Sequence, residues 1–196
     1  MTPQSATPST RLVYYLPGRG GHLATGLGEG LRSRGWDVTG RETTGAFRDL
    51  PFTDQVHTIA QDLQQHFWHP QARVVAVSFG AYLFLHAQAQ LPAYPGQVLL
   101  LSPIVGAFAD QASGTHFVPP QAELLRERVE AGNFNAPLNC ELHVGEQDWQ
   151  SGPESVKRMA QMLGMACTVV PGAGHQLGKG YVGGVLDRWL SCSPAP

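Results

Sequence analysis

One short segment, residues 73–84, limits the possible folds of this chain more than any other. It reads R-V-V-A-V-S-F-G-A-Y-L-F, and its four consecutive apolar residues, 74–77, predict a short buried strand. An apolar helix pattern follows with only Ser78 between them, and Ala76 and Gly80 are small enough for strand and helix to approach closely. Such an abrupt turn pushes the serine side chain outward at the end of a sheet, as in a nucleophile elbow. The alternative is an ordinary β–α turn whose serine caps the helix.

A carboxylate and a histidine follow two later strand-like runs. Asp148 comes after C-E-L-H-V-G-E-Q, and His175 comes after A-C-T-V-V and the loop P-G-A-G. A serine hydroxyl needs a neighbouring base to act as a nucleophile, and that base needs an acceptor to hold its tautomer. Because loops that follow parallel strands open at one edge of a sheet, Ser78, Asp148 and His175 can converge there. The order Ser…Asp…His therefore predicts a catalytic triad.

Strand-like and helix-like patterns alternate along the chain. The runs that predict strands are 12–16, 36–39, 73–77, 97–101, 140–144 and 166–170, and those that predict helices are 53–68, 79–91, 121–130 and 153–163. This alternation predicts an α/β fold, a doubly wound and mainly parallel six-stranded sheet flanked by helices. At 196 residues the chain is most simply one domain, 12–191, with flexible tails at 1–11 and 192–196.

Four motifs resemble those of the α/β-hydrolase superfamily, and the resemblance covers nearly the whole chain. They are A-V-S-F-G as the elbow, G-E-Q-D as the acid loop, G-A-G-H as the histidine loop, and L-P-G-R-G-G-H at 16–22. The last motif, called the glycine loop below, follows the first strand, where the family has its oxyanion loop. The chain departs from the family at Ala76, which replaces a glycine, and at Pro17, where many members have histidine. The first strand also begins too early for the family's N-terminal antiparallel strand pair, so the chain resembles a minimal member.

The resemblance implies a role for each motif. Ser78 would be the nucleophile, His175 the general base, and Asp148 the group that orients the histidine. The amides of Phe79 and Arg19 would form the oxyanion hole, and Gly18, Gly20 and Gly21 would let the glycine loop fold tightly around it. The Arg19 side chain could be solvated or could meet a carboxylate or phosphate of the substrate. Asp110 is an alternative to Asp148 as the acid, because some members of the family use that position.

Members of the family have a lid inserted between the fourth and fifth strands, and in this chain that connection is at about 103–137. Its apolar residues either cover the sheet or line a substrate pocket, and Phe108 is the residue we assign to such a pocket. His22, after the glycines, and Trp149, after the acid, are further candidates for pocket lining.

Composition narrows the possible partners. Charged residues make up only 14% of the chain and the net charge is −2, which argues against nucleic acid or an anionic membrane as a partner. No apolar run is long enough for a membrane span, and the N-terminus lacks the apolar core of a secretory signal. Three cysteines without metal spacing favour reduced thiols and a cytoplasmic location. The glycine-rich segments match neither a dinucleotide fingerprint nor a Walker loop.

The sequence therefore predicts a small cytoplasmic serine hydrolase that cleaves a carboxylic ester or thioester without metal or cofactor. Its predicted partner is a small acyl substrate, and the pattern indicates no oligomeric state. A non-catalytic α/β-hydrolase module that binds a ligand or a protein is the alternative, since one fold supports several functions.

Overall fold

A computed structural model describes residues 11–110 and 114–192 of the protein. The predicted tails, 1–11 and 192–196, fall almost wholly outside the described residues. The elements in chain order are β1 (Leu12–Leu16), α1 (Leu27–Arg32), β2 (Asp37–Gly40), α2 (Gly45–Asp49), α3 (Phe52–His66), β3 (Arg73–Val77), α4 (Phe79–Gln88), β4 (Gln97–Leu101), β5 (Phe108–Asp110), β6 (Thr115–Phe117), α5 (Ala122–Glu130), β7 (Asn139–Gly145), α6 (Pro153–Leu163), β8 (Ala166–Val170) and α7 (Lys179–Ser191).

The main sheet has six strands in the order β2-β1-β3-β4-β7-β8. Every pairing in it is parallel, and the strands lie where the six apolar runs predicted them, within one residue at each end. The predicted fold class is therefore confirmed. The strand order reverses at β1, because the chain adds β2 on one side of β1 and then β3 on the other. Ligands of open α/β sheets bind beside such a reversal, at the carboxyl ends of the strands.

The central strands of the sheet, β1, β3 and β4, are buried on both faces, which explains why they are almost continuously apolar. In β3, Val74 and Ala76 contact the hydrophobic layer formed with α3 to α6, whereas Val75 contacts the layer formed with α1 and α7. Side chains alternate between the faces of a strand, so each strand of this kind must be apolar at every position. Helix α4, which directly follows Ser78, is buried along almost its whole length.

The connection between β4 and β7 contains more structure than the sequence predicted. It carries a small antiparallel hairpin, β5 with β6, in which Phe108 pairs with Phe117, and then helix α5. Helices α1, α2 and α7 were also not among the predicted helices. The predicted helices at 53–68 and 79–91 are shorter than expected, since α3 ends at His66 and α4 at Gln88.

Candidate active site

The turn between β3 and α4 places Ser78 in a strained conformation. Its φ of 51° and ψ of −116° lie in a region that residues other than glycine rarely occupy, at a cost of about 1–3 kcal/mol. The Ser78 amide donates a hydrogen bond to the carbonyl of Leu101 at 3.0 Å, which ties the turn to β4. A Cβ atom at Gly80 would lie 2.3 Å from the Leu16 carbonyl oxygen, so only glycine lets α4 pack this closely beneath the end of β1. This is the geometry that a nucleophile elbow requires.

The structure brings Ser78, His175 and Asp148 together in one hydrogen-bonded chain. The Ser78 Oγ lies 2.8 Å from His175 Nε2, and His175 Nδ1 lies 2.9 Å and 3.0 Å from the two carboxylate oxygens of Asp148. When Nδ1 carries a proton and donates a hydrogen bond to the carboxylate, the unprotonated Nε2 can accept the serine proton. The histidine therefore bridges a hydroxyl and a carboxylate in the arrangement of a serine hydrolase triad.

Asp148 is fully buried and is held as a carboxylate by its neighbours. Burial alone would raise its pKa, but the hydrogen bonds from His175 and from the Ser151 amide outweigh burial and lower the pKa. The amides of Gln150 and Ser151 both donate to Asp148 Oδ1, at 3.1 Å and 3.0 Å. A carboxylate that accepts backbone amides in this way stays charged, so it can stabilise a positive imidazolium. The side chain of Asp110, the alternative acid, lies outside the described part of the chain.

Two serines that the sequence analysis did not select hold the histidine loop. The Ser102 Oγ donates to the His175 carbonyl at 2.7 Å, and the Ser151 Oγ donates to the Ser102 carbonyl at 2.9 Å. Ser102 directly follows β4, so the rule that identified Ser78, a polar residue just past a buried strand, could have found it. These bonds connect the end of β4 and the acid loop to the backbone of His175.

Gly145 at the end of β7 permits the acid and histidine loops to meet. A Cβ atom there would lie 2.2 Å from the Gly174 carbonyl oxygen and 2.3 Å from that of Ala173. Glu146, the other acidic residue near Asp148, accepts a hydrogen bond from the Gly172 amide at 2.8 Å and so stabilises the same histidine loop. Backbone contact between the two loops therefore sets the position of His175 relative to Asp148.

The glycine loop packs directly against Ser78. A Cβ atom at Gly18 would lie 3.3 Å from Ser78 Cβ and 3.8 Å from its Oγ, so the next residue, Arg19, is one peptide unit from contact with the serine. Within residues 11–110 and 114–192, the amides of Arg19 and Phe79 donate to no protein acceptor. Backbone amides near the serine that have no protein acceptor are what an oxyanion hole needs.

Thr43, at the end of the loop after β2, stabilises the glycine loop. Its side chain donates to the Gly18 carbonyl and accepts from the Gly21 amide at 3.0 Å, while its backbone carbonyl accepts from the Gly20 amide at 3.2 Å. His22 points away from this network, with Nδ1 3.2 Å from an oxygen of Glu42, and it is exposed. No local sequence pattern indicates this role of Thr43, because its contacts are with residues more than twenty positions earlier.

Ring contacts connect the acid loop to the glycine loop through the β5–β6 hairpin. The Phe108 ring lies 5.5 Å from Trp149 and 5.2 Å from Phe117, measured between centroids. The guanidinium carbon of Arg19 then lies 4.8 Å from the Phe117 ring centre and 5.4 Å from that of Phe79. The hairpin of the predicted lid thus contacts Trp149 of the acid loop through Phe108 and Arg19 of the glycine loop through Phe117.

A cavity of about 460 Å³ opens between the hairpin, α5 and α6. Phe108 and Trp149, two of the predicted pocket residues, line it together with Ser151, whereas His22 does not. Ser78 and His175 are not part of its lining, so the cavity contacts the acid loop but not these two residues. Of the predicted site residues, the structure gathers the triad, the glycine loop and these two aromatic residues, and leaves His22 at the surface.

Neither a metal centre nor a membrane span emerges from the described residues. In residues 11–110 and 114–192, no group of three or more histidine, cysteine or acidic side chains is placed to hold a metal ion. No helix in that part of the chain is long and apolar enough to cross a membrane. Cys140, Cys167 and Cys192 are free thiols, and the first two are only partly buried.

Comparison with known proteins shows similarity in structure but not in sequence. No protein-family model matches the chain, and no curated protein sequence does. The ydeN gene product of B. subtilis is similar to it with a TM-score of 0.63 at 17% identity, over 93% of this chain and 100% of the other. A carboxylesterase of Nitrososphaera gargenis is similar with a TM-score of 0.60 at 12% identity, over 92% of this chain and 90% of the other.

A third solved structure carries the name of the fold. It comes from Xanthomonas campestris, is assigned to the α/β superfamily of hydrolases, and gives a TM-score of 0.60 at 15% identity over 93% and 95% of the two chains. Similarity at identities this low establishes the fold but does not establish the reaction. The parallel six-stranded sheet, with a reversal of strand order at β1, agrees with this similarity. The protein has the α/β-hydrolase fold.

Proposed function

We propose that this protein is a serine hydrolase that cleaves a small carboxylic ester or thioester through an acyl-enzyme intermediate on Ser78. The observation that carries the proposal is the hydrogen-bonded chain from Ser78 Oγ through His175 to the buried Asp148. The strained elbow supports it, because such strain persists only where the surrounding structure maintains it. The similarity in fold to a carboxylesterase is consistent with this class of reaction.

In the acylation step, Ser78 Oγ attacks the carbonyl carbon of the substrate while His175 Nε2 takes the hydroxyl proton. The C–O or C–S bond to the leaving group then breaks, and His175 returns the proton to the departing oxygen or sulfur. Asp148 stays ionised throughout and stabilises the imidazolium through Nδ1. In the deacylation step, water takes the place of the serine hydroxyl, with the same histidine as its base.

The negative charge that develops on the carbonyl oxygen needs preorganised donors. The amides of Arg19 and Phe79 are the candidates, since both adjoin Ser78 and neither has a protein acceptor among the described residues. Loss of one such donor typically costs about 10²–10³ in kcat. Thr43 and the packed turn at Gly80 hold both amides in place before substrate arrives.

The test is intact-protein mass spectrometry after treatment with a fluorophosphonate. Ser78 Oγ should displace fluoride from phosphorus, with its proton passing to His175, and leave one phosphonyl adduct. Ser78→Ala should abolish the adduct and lower ester turnover by about 10⁴-fold or more. Ser33→Ala, at an exposed serine after α1, is the matched control and should label like the wild type.

Two results would contradict the proposal. A folded wild-type protein that gains no adduct would favour a non-catalytic binding module with this fold. An adduct that persists in Ser78→Ala, or near-normal esterase activity in that variant, would assign the reactivity to another residue.

A further inference from the structure

We propose that the guanidinium of Arg19 binds an anionic group of the substrate, a carboxylate or a phosphate, and so makes the enzyme selective for negatively charged esters or thioesters. The inference rests on the proposed function and narrows it to a substrate class. It concerns the Arg19 side chain, whereas the oxyanion hole would use the Arg19 amide. One residue would therefore stabilise the transition state with its backbone and select the substrate with its side chain.

The Arg19 side chain lies close to Ser78. Arg19 follows Gly18, whose Cα is so close to the nucleophile that a Cβ there would lie 3.3 Å from Ser78 Cβ. The guanidinium contacts the ring of Phe79, the residue that immediately follows Ser78, at 5.4 Å from the ring centre. The cation therefore lies at the mouth of the catalytic site, within reach of a substrate bound to Ser78.

Two aromatic rings hold the Arg19 guanidinium in place. Besides Phe79, the Phe117 ring of the hairpin lies 4.8 Å from the guanidinium carbon. Cation–π contacts at exposed sites contribute about 0.5–1 kcal/mol each, enough to restrain a long side chain. Rings do not accept the in-plane N–H groups as a carboxylate does, so the donor edge of the planar guanidinium remains available for a bidentate anion.

The Arg19 cation has no acidic partner among the described side chains. Among the side chains that the structure describes, which do not include that of Asp110, no carboxylate lies within 4.0 Å of the Arg19 guanidinium, and the guanidinium donates no hydrogen bond to any of them. Other arginines of this chain are paired, for example Arg41 with Asp62 at 2.7 Å and Arg34 with Asp187 at 2.6 Å.

Two acidic groups of the described part of the site, one in the acid loop and one beside the glycine loop, are already engaged. Asp148 binds His175, and Glu42 accepts from the Leu23 amide and faces His22. Neither carboxylate is free to neutralise Arg19. A positive charge that the protein leaves unbalanced beside a nucleophile favours substrates that bring the opposite charge.

A purely structural role for Arg19 is the competing explanation. The guanidinium could serve only to fasten the hairpin, through Phe117, to the glycine loop. Loss of such a contact would disturb the site for every substrate, charged or neutral, to the same extent. Substrate charge therefore separates the two roles.

The experiment compares two esters with the same leaving group and similar acyl length, 4-nitrophenyl butyrate and the 4-nitrophenyl half-ester of succinate. Arg19→Met keeps the backbone amide and the aliphatic stem but removes the charge. We expect the ratio of kcat/KM for the half-ester to kcat/KM for the butyrate to fall by about 10–100-fold, the usual effect of losing a charged hydrogen bond. Arg48→Met, at an exposed arginine of α2, is the matched control and should leave kcat/KM for both esters unchanged.

Two further measurements sharpen the result. Arg19→Lys should retain part of the preference, because an ammonium keeps the charge but not the bidentate fork. Inhibition of butyrate hydrolysis by succinate or by inorganic phosphate should tell which anion the site prefers, and both effects should be lost in Arg19→Met.

An equal loss of activity toward both esters in Arg19→Met would overturn the inference and assign the residue to fastening the hairpin. A wild-type enzyme that hydrolyses butyrate through Ser78 but shows no preference for the half-ester would also overturn it, and would leave the proposed function intact. Failure to hydrolyse either ester, with no fluorophosphonate adduct, would refute the proposed function and this inference together.

Discussion

Replacement of Gly145 by alanine should disable the site without touching any residue that carries out chemistry. A Cβ atom at this position would lie 2.2 Å and 2.3 Å from the carbonyl oxygens of Gly174 and Ala173. Carbon and oxygen atoms do not approach this closely, so the histidine loop would have to move by about 1 Å. His175 is the next residue along that loop, and its bonds to Ser78 and Asp148, now 2.8 Å and 2.9 Å, would lengthen.

The size of the effect follows from that displacement. A misplacement of about 1 Å in a catalytic group typically costs about 10²-fold in rate, which corresponds to about 2.7 kcal/mol of transition-state stabilisation. We expect kcat for a neutral ester to fall by that factor while KM changes little, because the change affects the proton transfer and not the pocket. The rate of fluorophosphonate labelling should fall in parallel, since it depends on the same base.

The matched control lies in the same loop. A Cβ atom at Gly174 would meet no atom within 4 Å, so Gly174→Ala makes the same chemical change next to His175 without a clash. This control should retain wild-type kcat, and circular dichroism should show both variants folded at the assay temperature. A folded Gly145→Ala enzyme with kcat within about threefold of wild type would refute the idea that this backbone contact positions the histidine.

Three other perturbations test separate parts of the structure. Asp148→Asn should lower kcat by about 10⁴-fold with little effect on KM, because an amide cannot enforce the same histidine tautomer, and steady-state ester kinetics would detect it. Thr43→Val should lower kcat about tenfold, because it leaves the Gly18 carbonyl and the Gly21 amide without their hydrogen-bond partner. Thr43→Ser keeps the hydroxyl and should retain wild-type kcat. Equal activity of the two variants would contradict this role. His86 is buried in α4, and burial, with help from the charge of Arg128, lowers its pKa to about 4. The unfolded chain therefore binds the proton more tightly, so stability should fall as the pH drops from about 6.5 to about 4, by up to about 3 kcal/mol. Denaturant unfolding of His86→Leu should show a correspondingly shallower loss over that pH range.

The sequence could predict the sheet and the approximate site because both depend on local signals. The central strands β1, β3 and β4 are buried on both faces and so are almost continuously apolar, which a single sequence displays directly. The end of each apolar run also marks an edge position, and Ser78 directly follows one of them. Parallel topology then places all those positions at the same edge.

The helices that the sequence did not predict lack a local signal. Helix α1 contains Gly28 and Gly30, and α7 contains Gly183 and Gly184, residues that disfavour an isolated helix by about 1 kcal/mol each. Both helices pack on the face of the sheet opposite α3 and α4, through residues such as Leu31 and Trp189. Tertiary burial therefore outweighs their poor propensity, and burial of that kind depends on partners far away in the chain.

The supporting contacts of the site show where local inference stops. Ser102 stands just past β4, so topology assigns it to the same edge as Ser78, but only the loop conformations decide that its hydroxyl reaches the His175 carbonyl. Thr43 reaches Gly18 and Gly21 because the loop after β2 returns beside the glycine loop, and no property of residue 43 alone requires this. The position along a strand thus predicts which residues can contribute to a site. The loops, through backbone contacts such as the one at Gly145, decide which of them do.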